Sequence, residues 1–172
     1  MIKALSFIKF LLMKIKLGKY LDMCPQNIIK GKVEVIINKD SLISINRGMH
    51  STGPLYLKAV NGGKIKIGRN CFFNHNCSIT ACSNISIGDN CCFGNNLVVI
   101  DHDHNFRSIG NNIFISDEII IGNNVWIGAN VTVLRNTHIG DNCVIGANCV
   151  VKGNIESNTI YTENKDFIKR KI

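Results

Sequence analysis

The sequence predicts an all-β chain wound as a parallel β-helix, and three observations carry that expectation. From Ile121 onward an aliphatic residue returns every six positions: Ile121, Ile127, Val133, Ile139, Ile145 and Val151. The same step links Ile67, Phe73 and Ile79, and again Ile87, Phe93 and Val99. Glycine follows the aliphatic residue at 68, 88, 94, 122, 128, 140 and 146, and asparagine stands three after it at 70, 76, 90, 96, 124, 130, 136, 142, 148 and 154. Asparagine enters the left-handed backbone region more readily than most residues. Each unit therefore reads as a short strand with one inward aliphatic side chain, followed by a bend. Stacked units of this kind form a solenoid, with three to a triangular coil of about eighteen residues.

The cysteines fit the same scheme. Cys71, Cys77, Cys91, Cys143 and Cys149 occupy the position that Val125, Val131 and Thr137 fill elsewhere. That position calls for a small inward residue, and a free thiol behaves as a small hydrophobe. No C-x2-C pair suggests zinc, and no secretory signal pattern precedes the repeats. Reduced thiols and a cytoplasmic location are expected.

Upstream, "GKVEVIINKDSLISINRG" and "PLYLKAVNGGKIKIG" alternate apolar and polar residues and read as looser early coils. The domain division expected is an N-terminal amphipathic helix or cap over 1–24, a β-helix over 25–158, and a basic tail or short helix over 159–172. The cap would cover the open edge of the first coil. The alternative for residues 1–20 is contact with the inner face of an anionic membrane, because lysines alternate there with apolar residues.

Charge supports this division. The net charge is +8. Residues 1–32 hold seven lysines and one aspartate, whereas residues 33–162 hold nine charges of each sign. The middle is neutral, aromatic residues are few and no nucleic-acid motif appears, so nucleic acid is not an expected partner.

The repeat breaks at "VVIDHDHNF". From Val99 to Ile121 is twenty-two residues, sixteen more than one step. An excursion over about 103–118 therefore leaves the coil and returns in register. His102 stands where the repeat places asparagine, and His104 lies two residues further on. Long ordered loops on rigid scaffolds often carry function, and histidine is the natural general base near neutral pH.

The stretch "IGNNVWIGANVTVLRNTHIGDNCVIGANCVV", with "HDH" upstream, resembles the left-handed β-helix acyltransferases with hexapeptide repeats. The similarity is greatest to the sugar O-acetyltransferases, including the galactoside, maltose and nodulation-factor enzymes and those acting on surface polysaccharides. It covers about residues 60–160. The resemblance implies a left-handed helix, a homotrimer with active sites between subunits, acetyl-CoA as donor, a saccharide acceptor and no metal. In the family a catalytic histidine precedes the tryptophan of "NVWIG" by twenty-four residues, which selects His102 as the base paired with Trp126. Asn74 matches an acceptor-contacting asparagine. Cys82 stands where the galactoside branch has an acidic acceptor contact, and His104 is a further candidate substrate contact. Trp126, Ala129 and Ala147 would line the donor groove, with Lys152 and Lys165, Lys169 and Arg170 meeting the CoA phosphates. The family's G-x-P-A segment is missing from "TENKDFIKRKI". The rival readings are an acetyltransferase for serine, an antibiotic or an amino sugar; a γ-type carbonic anhydrase with zinc; and a non-catalytic glycan-binding β-helix.

Overall fold

The computed structural model describes residues 2–38, 40–107 and 113–163. A helix, Ile2–Leu17, and a 3-10 turn, Gly18–Tyr20, lead into a solenoid of short parallel strands. The strands form three faces. The first holds Leu21–Met23, Leu42–Ile45, Lys64–Ile67, Asn84–Ile87, Ile119–Ile121 and the second halves of Thr132–Ile139 and Val150–Ile155. The second holds the two-residue strands from Ile28–Ile29 through Trp126–Ile127 to Ile160–Tyr161. The third holds Val33–Ile37, Leu55–Ala59, Cys77–Ala81, Val98–Ile100 and the first halves of Thr132–Ile139 and Val150–Ile155. Strand pairing runs from Leu21 to Tyr161 and so extends past both ends of the expected 25–158 span.

The coils tighten along the chain. Register partners on the first face are Leu21, Ile43, Ile65, Ile85, Ile119, Thr137 and Gly153. Successive coils thus take 22, 22, 20, 34, 18 and 16 residues. The fourth exceeds the fifth by the sixteen residues of the excursion. The early coils are longer because their third-face strands run to five residues.

Inside, the aliphatic ladder is fully buried, and Phe73 stacks on Phe93 with ring centroids 4.7 Å apart. Cys71, Cys77, Cys91, Cys143 and Cys149 are buried free thiols, as the spacing predicts. The asparagines make the bends with φ of 56–64° at 70, 76, 90, 96, 124, 130, 136, 142, 148 and 158. Their side chains also stack into ladders at two of the three corners. One runs Asn76–Asn96–Asn130–Asn148 and the other Asn70–Asn90–Asn124–Asn142–Asn158. Asn154 departs from the expected pattern. The step from Val151 to the next inward residue, Ile155, is four rather than six, so Asn154 falls within a strand beside His138 and Gly153 (φ 88°) supplies the bend. Glycine after the inward residue is required by the stacking: a Cβ on Gly128 would lie 2.7 Å from the backbone nitrogen of Ala147.

Burial predicts thiol behaviour. Removal from water pushes the Cys77 thiol up to about 11. In the native protein its reactive thiolate is therefore scarce at pH 8, whereas in the unfolded chain it forms near pH 8.5. The sign follows: this thiol favours the folded state below about pH 8.5, and that contribution is lost as pH rises toward 11. Labelling of Cys77, Cys143 and Cys149 by a thiol reagent is expected to be slow in native protein and fast after unfolding. Rapid native labelling at all three would contradict the inward register.

Candidate active site

The excursion is an antiparallel hairpin. His102–His104 pairs with Phe114–Ser116, with His102 opposite Ser116 and His104 opposite Phe114. Its base is closed where the Asp117 N–H donates to the Asp101 carbonyl at 3.0 Å. It leaves from the corner between the third and first faces, where no asparagine ladder runs. His102 is the hairpin's first paired residue, so the excursion begins one residue before the expected 103.

Asp101 is the organising group. It follows the third-face strand at the inward position that Ala59 and Ala81 occupy in the two preceding coils, and it is wholly buried. Its Oδ1 accepts the N–H of Cys82 at 2.7 Å, and its Oδ2 accepts the N–H of Ser83 at 2.8 Å. The same Oδ1 lies 3.1 Å from Nδ1 of His102. A buried carboxylate with both oxygens engaged is a fixed acceptor. It holds the imidazole with Nδ1–H toward itself, which leaves the Nε2 lone pair to take a proton. The Phe114 ring meets His102 edge-on, with centroids 4.9 Å apart at 76°. His102 is thereby locked on two sides, and its side chain is 9% exposed. His104 packs on the same Phe114 at 4.9 Å but is exposed.

Arg135 holds the hairpin in place. Its Nε donates to Asp103 at 2.6 Å and its Nη1 donates to Asp117, so one guanidinium ties both strands. Asp101, Phe114 and Arg135 are the members that sequence reasoning missed. Asp101 alone left a trace, an acidic residue at an inward position. Cys82 lies beside Asp101 and His102, and burial together with the Asp101 charge pushes its thiol pKa up. The side chain therefore offers an uncharged S–H where an acidic contact would be negative. Cys82, Asp101 and His102 are also the one trio of potential metal ligands among the described residues. The hydrogen bonds already accepted by Asp101 suit it to orienting an imidazole.

The other predicted residues gather elsewhere. Asn74 lies at the corner between the second and third faces. Its Oδ1 accepts from the His75 N–H at 3.0 Å and from the Thr52 hydroxyl at 3.1 Å. Ala129 and Ala147 stack at this same corner, where Asn130 donates to Asn148. Trp126 is on the second face, opposite Cys92 and Val144, and points outward with 57% exposure. Lys152 is exposed at the end of the third face, near the His102 corner. Lys165, Lys169 and Arg170 lie outside the described residues. Within one chain, Asn74, Ala129 and Ala147 therefore lie at one edge of the third face, with Trp126 on the adjoining second face, and His102, Cys82 and Lys152 at the other edge.

Residues 118–153 match the model of the bacterial transferase hexapeptide (six repeats), and residues 64–100 match that of the hexapeptide repeat of succinyl-transferase. Both matched segments thus carry hexapeptide repeats. A comparison with curated proteins returns no match. Solved structures share the fold. The polySia-specific acetyltransferase NeuO superposes with a TM-score of 0.67 at 20% identity, covering 87% of this chain and 80% of that one. The hexapeptide-repeat acetyltransferase VCA0836 of Vibrio cholerae, in complex with acetyl coenzyme A, gives 0.55 at 18% identity over 94% and 80%. A maltose O-acetyltransferase from Clostridium difficile 630 gives 0.54 at 23% identity over 94% and 78%. The two matched segments flank the hairpin, which lies between them.

Proposed function

We propose that this protein is an acetyl-CoA-dependent O-acetyltransferase acting on a saccharide hydroxyl, with a role in building bacterial surface polysaccharide. The observation that carries the reading is the His102–Asp101 pair, an imidazole oriented by a buried carboxylate at the base of the hairpin. His102 Nε2 removes the proton of an acceptor hydroxyl as that oxygen attacks the thioester carbonyl, and coenzyme A leaves as the thiol. Asp101 stabilises the imidazolium so formed. The similar structures support the choice of chemistry: one is crystallised with acetyl coenzyme A, and two are named for polysialic acid and maltose.

The site is completed between copies of the chain in a homotrimer. The Asn74 and His102 groups lie on opposite edges of the third face, about five strand residues or roughly 15 Å apart, and Trp126 lies beyond the Asn74 edge on the second face. Reacting groups must come within about 3–3.5 Å. A threefold arrangement brings the Trp126 and Asn74 edge of one copy to the His102 edge of the next. The second face supports this arrangement. Its outward column runs Ile28, His50, Phe72, Cys92, Trp126, Val144 and Ile160, with no acidic residue, lysine or arginine. Burial and the neighbouring Lys30 lower the His50 pKa, which keeps that member neutral.

The deciding experiment incubates the full-length protein with acetyl-CoA and a panel of free sugars, nucleotide sugars and glycans, while coenzyme A release is followed. Acceptor-dependent release with a mass gain of one acetyl group on a hydroxyl is expected. Transfer to serine or an amino group alone, or no release with any acceptor, would refute the saccharide reading.

A further inference from the structure

The N-terminal helix is apolar on two opposite sides. Ser6, Phe10, Met13 and Leu17, spaced by four, three and four, form the side that packs on the first coil. The contact is specific. The Ser6 hydroxyl accepts the Ile29 N–H at 2.9 Å, and Lys9 Nζ donates to the carbonyls of Ile29 and Gly31 at 3.3 and 2.9 Å. Lys14 Nζ donates to the Leu21 carbonyl at 2.6 Å. These bonds satisfy strand-edge groups that the open end of the solenoid would leave unpaired. One side of the helix therefore accounts for the cap.

The opposite side has no such task. Leu5, Ile8, Leu12 and Ile15, spaced by three, four and three, form a second stripe with Leu11 and Phe7 beside it. These six side chains are 47–74% exposed, with Leu12 at 63% and Ile15 at 74%. At helical spacing the lysines fall between the two stripes, Lys3 and Lys14 along one flank and Lys9 and Lys16 along the other. No acidic residue lies in the helix. The helix is too short and too charged to cross a membrane, and none of the described helices qualifies for that role.

We propose that this outward stripe seats the protein on an anionic membrane surface. Lys9 and Lys14 are engaged by the solenoid, but each flank keeps one exposed ammonium group, Lys3 on one and Lys16 on the other. An apolar face flanked in this way places side chains among acyl chains while those groups reach lipid phosphates. The charge complementarity favours lipid over a second copy of the chain. Two such helices meeting face to face would bring lysine rows together with no carboxylate from either helix to offset them. The cap thus joins two functions in sixteen residues: its inner side closes the solenoid and its outer side docks the protein.

The test is sedimentation of the full-length protein with vesicles of phosphatidylcholine alone or mixed with phosphatidylglycerol. Binding to the mixed vesicles that weakens with added salt is expected. The double variant Leu12→Glu/Ile15→Glu should bind at least about 10-fold more weakly. Both positions are solvent-facing, so its thermal unfolding should match wild type. The variant Lys3→Glu/Lys16→Glu keeps the apolar stripe intact and should lose the preference for anionic vesicles. The proposal is overturned if wild type ignores mixed vesicles, or if both variants bind as wild type does. It is also overturned if light scattering shows the stripe occupied by another copy, with Leu12→Glu/Ile15→Glu lowering the oligomer size and no vesicle binding. None of these outcomes depends on acetyl transfer.

Discussion

His102→Ala is expected to lower acetyl transfer by about 10²–10⁴-fold, the span removed with a general base. The fold should survive, because the side chain lies outside the hydrophobic core and the hairpin keeps its Arg135 ties to Asp103 and Asp117. His104→Ala should cost far less: His104 is exposed and packs only one face against Phe114. Asp101→Asn separates orientation from proton transfer. It keeps the size of the buried group but replaces one oxygen with an amide that cannot accept the backbone N–H. The native pairing then fails at Cys82, Ser83 or His102, and turnover should fall with the acceptor KM changed less than kcat. Steady-state kinetics with matched thermal melts check all three variants. If His104→Ala were the more damaging histidine change, the base would be misassigned.

Mixing two inactive variants should restore activity if the site is shared between copies. Chains carrying His102→Ala keep Trp126, and chains carrying Trp126→Ala keep His102. After subunit exchange at equal amounts, about a quarter of the interfaces in random trimers pair an intact His102 edge with an intact Trp126 edge. Recovery toward about a quarter of wild-type turnover is therefore expected, against nearly none for either variant alone. Native mass spectrometry would establish that mixed trimers have formed. A fully exchanged mixture that stays inactive places both residues within one chain and removes the shared site.

The period of six was readable because each of its elements acts locally. An aliphatic residue inward, a glycine where the next coil's backbone passes close by, and an asparagine in the left-handed region are all set by residue type and spacing. The same local rules exposed the excursion, since sixteen extra residues between Val99 and Ile121 return in register. His102 stood out for a related reason, replacing the asparagine that the corner otherwise uses. The expectation at Asn154 failed because the rule counts residues from the last inward position, and the final coil drops two of them between Val151 and Ile155.

The sequence by itself determined the solenoid, its inward register, its buried thiols and the place where a functional loop departs, because these depend on chemistry repeated at short range. The tertiary structure decided the rest. Asp101 orients His102 only because the coil stacked beside it presents two backbone N–H groups from residues 18 and 19 positions earlier in the chain. Arg135 secures the hairpin from 32 and 18 residues away. The helix reads as singly amphipathic until its contacts show that Ser6, Phe10, Met13 and Leu17 face the solenoid and a second apolar stripe faces outward. Contacts across that distance are set by coil circumference. Apart from the 34-residue coil that carries the hairpin, coil length here runs from 22 residues to 16, so which residues become neighbours is fixed only when the whole chain is wound.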